Sequence, residues 1–117
     1  MQNLEEIKRI ATNIPRHRMH ISLIYRRNKL LAWGTNHTKM HPKALRMGYR
    51  TPYLHSELDA YRKVQHMGLK NLTLVNYRFK ANGLIGLSKP CPICMLWCTE
   101  IFNKIFYSNN EGSLVKL

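Results

Sequence analysis

Residues 90–94 read Pro-Cys-Pro-Ile-Cys, and this stretch carries most of the information about the fold. Two thiols three residues apart lie on one face of a helical turn, so Cys91 and Cys94 can reach a single ion. Pro92 suits the first turn of a helix, where a missing N–H costs no hydrogen bond. The stretch therefore predicts a helix start with both sulfurs near its positive end, which favours the thiolate that binds metal.

A second predicted helix start lies upstream, where His55 is followed by Ser56 and Glu57. An apolar helical face follows it, at Leu58, Ala60, Tyr61, Val64 and Met67. His55 supplies a third candidate ligand and Glu57 a nearby carboxylate, and residues two apart converge only at a helix end. Three protein ligands leave the fourth position of a tetrahedral zinc open, which is the arrangement of a catalytic site. The pattern predicts a helix from about His55 to His66, stopped by Gly68.

The pattern His-x-Glu followed by Pro-Cys-x-x-Cys resembles the motif of zinc-dependent nucleobase deaminases. His55, Glu57, Pro90, Cys91 and Cys94 stand where the motif of the cytidine and deoxycytidylate deaminase superfamily puts them. The interval between Glu57 and Cys91 leaves room for the rest of one helix, a strand and a loop, which is that family's connection. The resemblance implies an α/β, three-layer α-β-α cytidine deaminase-like fold, whose mixed sheet of four to five strands is flanked by helices.

The same resemblance implies an activity, hydrolytic deamination of cytosine to uracil. One catalytic zinc per chain would be held by His55, Cys91 and Cys94, and Glu57 would carry the proton from water to the ring nitrogen and the departing ammonia. Relatives that act on tRNA adenosine often carry Glu before the Pro-Cys pair, whereas this chain has Lys89. That difference favours cytosine over adenine.

Substrate-binding residues are expected at four positions. The family's second strand commonly ends in an Asn that binds the sugar, and Asn36 matches it; the alternative is a turn Asn bonded to its own backbone. Lys89 lies in a segment that is near the bound base in relatives. Tyr107 stands at the start of a loop that often helps to choose the substrate.

The fourth position, Tyr53, belongs to a long loop predicted over residues 37–54, which would wall the active site. Tyr53 or Tyr49 could stack on a base, although an aromatic side chain tucked under the loop is the commoner outcome. Pro42 argues against a helix in this segment, so His37 and His41 are interpreted as surface or substrate-side residues.

Other patterns predict the remaining elements. Apolar spacing indicates a helix over residues 3–14, ended by Pro15. Strands are expected at His20–Arg26, Lys29–Trp33, Leu72–Tyr77, residues 105–108 and residues 114–117. Arg27-Asn28 is the predicted turn of the first hairpin, and a third helix starts at the Cys pair.

Length and composition set limits on the class of protein. At 117 residues the chain is expected to form one domain over 1–117. It has no apolar run that could cross a membrane, and Glu5 and Glu6 precede any apolar run, unlike a signal peptide. Three cysteines, two of them assigned to metal, argue against a disulfide scaffold and for a reducing, cytoplasmic location. The sequence leaves open whether the chain forms a homo-oligomer.

The charge is strongly basic, with 19 Lys and Arg against 6 Asp and Glu and a formal net charge of +13. The segment from Lys8 to Arg50 holds eleven basic residues and no acidic one. Such a field attracts phosphate, so the expected partners are a cytosine-containing nucleotide of the dCMP type or single-stranded DNA or RNA. A duplex is disfavoured because the target base must leave the stack.

Three alternatives remain open from the sequence. The first is an adenosine deaminase acting on RNA. The second is a non-catalytic, zinc-stabilised nucleic-acid-binding module, in which Cys98 would close the metal site as a fourth ligand. Cys98 lies a full turn beyond Cys94, so it is predicted to be a small buried hydrophobe instead. The third is a redox protein with a reversible Cys91–Cys94 disulfide.

Overall fold

A computed structural model of the chain describes residues 7, 9, 20–37, 40–51, 53–80 and 82–117. Within these residues the strands are β1 (His20–Arg26), β2 (Lys29–Thr35), β3 (Thr73–Phe79), β4 (Ile85–Gly86), β5 (Lys104–Ser108) and β6 (Leu114–Lys116). The helices are α1 (Pro42–Arg46), α2 (Ser56–Tyr61) and α3 (Pro92–Ile101), with a 3₁₀ turn at Gln65–Met67.

The strands form one mixed sheet in the order β2-β1-β3-β5-β6, and β4 pairs with β3. The β3–β5 pair is parallel and the other pairs are antiparallel, with α3 in the crossover from β3 to β5. The β1–β2 hairpin turns at Arg27 and Asn28, whose φ values of 52° and 66° give the two-residue turn that suits the twist of paired strands. The predicted hairpin and mixed α/β class are confirmed, and the two-residue β4 is an addition to the five predicted strands.

The sheet buries apolar side chains on both faces, because successive residues of a strand point to opposite sides. One face packs against the helices in a cluster that includes Ile24, Leu74 and Ile105 from the strands. The other face carries a second cluster with Leu23, Val75 and the helical residue Ile7. This layering is compatible with the predicted three-layer α-β-α fold. The rest of the helix predicted over residues 3–14 lies outside the described residues, apart from Arg9.

Gly34 allows α2 to lie directly on β2. A Cβ atom at this position would stand 2.3 Å from the Ala60 nitrogen and 2.8 Å from the Ser56 carbonyl oxygen, distances that real Cβ atoms do not reach. Only a residue without a side chain therefore permits this close approach of helix backbone to strand. The start of α2, where His55 stands, is fixed over the sheet by this contact.

The predicted loop over residues 37–54 contains the helix α1, so the argument from Pro42 against a helix was wrong. Pro42 occupies the first turn, where proline is favoured, and the His41 ring accepts a hydrogen bond from the Lys43 N–H at 3.2 Å. Gly48, with φ of 99°, ends the helix. The Gly48 N–H donates to the Leu45 carbonyl and the Tyr49 N–H to the Ala44 carbonyl, which is a Schellman motif.

Two further boundaries differ from the sequence prediction. The helix predicted over residues 55–66 ends at Tyr61, because the hydrogen bonds from the Lys63 and Val64 N–H groups reach back only three residues. A 3₁₀ turn follows, and Gly68, which was predicted to stop the helix, instead ends this turn in the left-handed conformation. Within the described part of the chain, no helix has the length and apolar character that a membrane span requires.

Candidate metal centre and its cavity

The starts of α2 and α3 meet at the candidate metal centre. His55 is the N-cap residue of α2 and Cys91 is the N-cap residue of α3. The His55 Nδ1 atom lies 3.6 Å from the Cys91 sulfur and 3.6 Å from the Cys94 sulfur. Two segments that are distant in sequence thus bring one imidazole and two thiols to one point.

The spacing of these donor atoms fits a tetrahedral metal ion. The three donor atoms all lie within 4.8 Å of one another. With metal–sulfur and metal–nitrogen bonds of about 2.3 and 2.05 Å, a tetrahedral ion places an N and an S ligand about 3.6 Å apart. His55, Cys91 and Cys94 can therefore hold a metal ion without rearrangement of the backbone.

Cys98 is not a member of this cluster. Among the described residues, the donor atoms that lie within 4.8 Å of one another belong to His55, Cys91 and Cys94. The Cys98 side chain is fully buried. Burial raises the pKa of the Cys98 thiol, and the nearby Glu57 charge raises it further, so the thiol stays neutral. All three cysteines are free, with no disulfide between them. The position agrees with the prediction that Cys98 is a small buried hydrophobe.

Glu57 belongs to a closed ring of buried polar side chains beside the candidate metal ligands. Its Oε2 accepts a hydrogen bond from the Asn76 amide nitrogen at 3.1 Å, and its Oε1 lies 3.1 Å from the Ser56 hydroxyl. The Ser22 hydroxyl closes the ring, at 2.6 Å from Asn76 Oδ1 and 2.8 Å from the Ser56 hydroxyl. All four side chains are buried, so the carboxylate has one defined orientation.

A cavity of about 440 Å³ opens on two of the candidate metal ligands, His55 and Cys91, and on Glu57. Twelve described residues line it: His20, Asn36, His37, Thr51, Tyr53, Leu54, His55, Ser56, Glu57, Ser88, Lys89 and Cys91. The list includes three of the four residues expected to bind substrate, namely Asn36, Tyr53 and Lys89. Tyr107 is not among the lining residues; it lies on β5, opposite Asn76 of β3 in the strand register.

The three lining residues differ in how firmly they are held. The Asn36 Oδ1 accepts a hydrogen bond from the His20 N–H at 3.0 Å, which ties the end of β2 to the start of β1. The carbonyl oxygen of this side chain therefore has a structural partner. Tyr53 is 45% exposed and Lys89 is exposed, so both side chains can meet a ligand that enters from solvent.

Lys89 is the one Lys or Arg among the described residues that line the cavity. His20 also lines it, and burial lowers the pKa of its imidazole, so this ring is mostly neutral at pH 7. Arg78, outside the lining, is the register partner of His20 across β1 and β3. Arg78 lies on the same face of the sheet as Asn76, because residues two apart in a strand share a face. Among the described residues that line the cavity, Glu57 alone is acidic. Sequence reasoning assigned no role to His20, and only the strand register brings it beside Arg78.

His37 joins the cavity wall to a buried acid. Its Nε2 atom lies 3.0 Å from the Asp59 carboxylate, which also accepts hydrogen bonds from the Thr35 N–H and the Arg62 guanidinium. Burial alone raises the pKa of Asp59, but these hydrogen bonds and the Lys63 charge together hold it below its ordinary value. The ionised Asp59 fixes His37 against α2, and His37 lines the cavity, whereas the sequence left open a surface or a substrate-side position.

Tyr49 and Trp97 lie behind the metal ligands, away from the cavity. Both side chains are buried, and neither lines the cavity. The position of Tyr49 excludes the base-stacking role considered from the sequence, whereas Tyr53 remains at the cavity wall. The signal that could have placed Tyr49 inside is Gly48, since a Schellman motif commonly directs an apolar residue after the glycine back onto its helix.

A scan against protein-family models and a search of curated proteins give no match to this chain. The arrangement of the residues themselves therefore carries the functional argument.

Proposed function

We propose that this protein is a zinc-dependent hydrolytic deaminase that converts cytosine to uracil in a phosphate-bearing substrate. One observation carries the proposal: His55 and Cys91, which form a three-donor cluster with the buried Cys94, line the same cavity as Glu57. Two thiolates and one imidazole favour zinc among the common metal ions, and three protein ligands are typical of a catalytic zinc site. A bound zinc ion would lower the pKa of a coordinated water towards neutrality and so supply the nucleophile.

Glu57 would handle the protons of the reaction. A new bond forms between the water oxygen and C4 of the cytosine ring, and the bond from C4 to the amino nitrogen breaks. Glu57 accepts a proton from the water and delivers protons to the ring nitrogen N3 and the departing amine, so that the products are uracil and ammonia. The buried ring of hydrogen bonds holds the carboxylate in place during both transfers.

The hydrogen-bond ring around Glu57 can accommodate the proton that Glu57 would take from the water. With Glu57 ionised, the Asn76 amide, the Ser22 hydroxyl and the Ser56 hydroxyl offer three hydrogens for the four contacts of the ring. A hydrogen on Glu57 Oε1 can be donated to Ser56, which then donates to Ser22, which donates to Asn76. Each of the four contacts then has a hydrogen, so this hydrogen-bond ring can hold a proton on Glu57 Oε1.

Two cations support a substrate that carries phosphate. Lys89 lines the cavity, and Arg78 pairs in strand register with His20, another lining residue. Together with the net charge of +13, this favours a dCMP-type nucleotide or a single strand of DNA or RNA over a neutral nucleoside. A flexible single strand can present an unstacked base to the cavity, whereas a duplex cannot.

The decisive experiment measures the masses of a single-stranded DNA oligomer and of free dCMP after incubation with zinc-loaded protein. Conversion of the amino to the oxo group in either substrate is expected, and Glu57→Gln, which preserves side-chain size but cannot take up the proton, should abolish it. Conversion of the oligomer would assign the basic charge to strand binding, and conversion of dCMP alone would indicate a nucleotide-pool enzyme.

The net charge also favours a second candidate, a non-catalytic zinc-stabilised module that binds nucleic acid. This candidate predicts strand binding with no mass change on cytosine or adenine substrates, and it predicts that Glu57→Gln binds as the wild type does. Absence of turnover on DNA, RNA and both nucleotides, with strand binding intact, would replace the deaminase proposal by this one.

A further inference from the structure

Tyr49 reaches the metal ligands from the side opposite to the cavity. The Schellman motif at the end of α1 turns the chain at Gly48, and the next side chain enters the core. Tyr49 is only 5% exposed, so its hydroxyl group needs partners inside the protein. It finds them on α3, at the first and second turns of that helix.

Two contacts of the Tyr49 hydroxyl are defined. The oxygen lies 2.6 Å from the Cys94 sulfur and 2.9 Å from the Trp97 indole nitrogen. In addition, the Tyr49 ring packs against the His55 imidazole, with ring centroids 4.5 Å apart and planes inclined by 47°. One side chain therefore touches two of the three candidate ligands.

The chemistry of the indole fixes the direction of these hydrogen bonds. The Trp97 Nε1–H can only donate, so the Tyr49 oxygen is the acceptor of that bond. The single hydrogen of the Tyr49 hydroxyl is then available to the neighbouring Cys94 sulfur. The result is a directed chain, from indole to phenol to sulfur, that ends on a metal ligand.

From this geometry we propose that Tyr49 is a positioning residue for the metal centre, and this inference rests on the proposed zinc site. Its hydroxyl donates to the Cys94 thiolate and its ring fixes the plane of the His55 imidazole. A hydrogen bond to a thiolate withdraws charge from the sulfur and limits its rotation, and such outer partners typically change metal affinity by about 10- to 100-fold. Trp97 acts one step further out, by holding the phenol oxygen.

The test is a set of three conservative variants, with metal binding as the readout. Tyr49→Phe removes the hydroxyl and retains the ring against His55. Trp97→Phe removes the indole N–H and retains the phenol. Tyr61→Phe is the matched control, because Tyr61 packs on Trp97 at 5.5 Å between ring centroids but has no defined contact with a metal ligand. Far-UV circular dichroism establishes that each variant is folded.

Zinc affinity is measured by competition with a chromogenic chelator, and the cobalt-substituted proteins are compared by their sulfur-to-cobalt charge-transfer absorption. We expect Tyr49→Phe to bind zinc about 10- to 100-fold more weakly and to shift the charge-transfer band to longer wavelength, since the sulfur loses a hydrogen-bond donor. Trp97→Phe should lie between Tyr49→Phe and the wild type. Tyr61→Phe should match the wild type in both measurements.

Three results would overturn the inference in distinguishable ways. A Tyr49→Phe protein with wild-type affinity and spectrum would remove Tyr49 from the metal centre and leave the zinc site standing. An equal loss in Tyr61→Phe would assign the effect to general loosening of the aromatic cluster. A wild-type protein that binds neither zinc nor cobalt would remove the metal site itself and the proposed function with it. Should Tyr49→Phe fail to fold, the charge-transfer band of cobalt-substituted Trp97→Phe decides. A shift to longer wavelength supports the inference, and a wild-type position contradicts it.

Discussion

The two helix starts that meet at the candidate metal centre are held by different contacts. The start of α2 is held to the sheet by hydrogen bonds, because Glu57 and Ser56 are linked to Ser22 and Asn76. At the start of α3 the Cys94 N–H donates to the Cys91 sulfur, and a directed hydrogen-bond chain runs from Trp97 in the buried aromatic cluster through Tyr49 to Cys94.

This difference matches the chemistry proposed for each side. A residue that moves protons needs donors and acceptors around it, and the polar ring supplies them. A pair of thiolates needs fixed geometry and exclusion of water, which buried aromatic side chains supply. The candidate site thus joins two environments, a polar one at the start of α2 and an aromatic one beside the start of α3. Each prediction that follows disturbs a defined part of one of these environments.

The largest effect is expected from Gly34→Ala, which disrupts the packing of α2, the helix that carries Glu57, on β2. The new methyl group would overlap the Ala60 and Asp59 backbone, so α2 must move off β2. We expect a loss of about 3 kcal/mol or more in the free energy of unfolding, together with loss of the proposed deaminase activity. Urea denaturation followed by circular dichroism measures the first quantity.

Gly86→Ala is the matched control for Gly34→Ala. A Cβ atom at Gly86 would meet the Lys80 side chain, whose nearest atom is the Cε carbon near the flexible end. The loss should stay below about 1 kcal/mol. Equal losses in the two variants would contradict the role of Gly34 in docking α2.

Asn76→Ala breaks the polar ring without touching the metal ligands. It leaves Glu57 Oε2 and the Ser22 hydroxyl without their shared partner in a buried place, which costs about 2 to 3 kcal/mol of stability. Turnover should fall much further than substrate affinity, while zinc affinity measured by chelator competition stays unchanged. A parallel loss of zinc would show that the two sides are not independent.

Asp59→Asn tests how much the ionised Asp59 carboxylate, one turn into α2, stabilises the fold. The pKa of Asp59 is held below its ordinary value of 3.8, so its ionised form stabilises the fold above that pH and the contribution disappears as the pH falls through the lowered value. The variant should lose roughly 2 kcal/mol at neutral pH, and its unfolding free energy should change less between pH 5 and pH 2. Denaturation curves across this range provide the measurement, and parallel pH profiles would refute the assignment.

The smallest effect is expected from Cys98→Ala on the aromatic side. Cys98 is buried among apolar groups, so its removal should cost about 1 kcal/mol, and the protein should retain one zinc per chain. Cys94→Ser serves as the contrast and should lose stoichiometric zinc, as measured by elemental analysis after dialysis. Loss of zinc from Cys98→Ala would favour the closed, non-catalytic site.

Much of the fold could be predicted because its signals are local. The Cys-Pro-Ile-Cys stretch marks the start of α3, and Arg27-Asn28 marks the hairpin turn that the structure contains. The missed helix α1 also had local signals, at Pro42 and Gly48. Pro42 was interpreted as a helix breaker although the first turn of a helix accommodates proline.

The candidate site was only partly predictable, because its support depends on strand register. Alternation along β1 and β3 indicates which face Ser22 and Asn76 occupy, but only the pairing of these strands places them opposite each other. The contact of Tyr49 with Cys94 joins residues 45 positions apart in the chain and has no local pattern. Side chains that act through another residue are therefore the ones that sequence reasoning overlooks.

The separation of His55 and Cys91 by 36 positions has a consequence for the unfolded chain. An ion shared by these residues would act as a reversible cross-link, which removes conformational entropy from the unfolded state much as a disulfide does. Free zinc at a hundred times its dissociation constant would add about 2.7 kcal/mol to the stability of the folded form. The supply of metal would then influence how much folded protein persists, and a chelator would lower the stability of the protein as well as its activity.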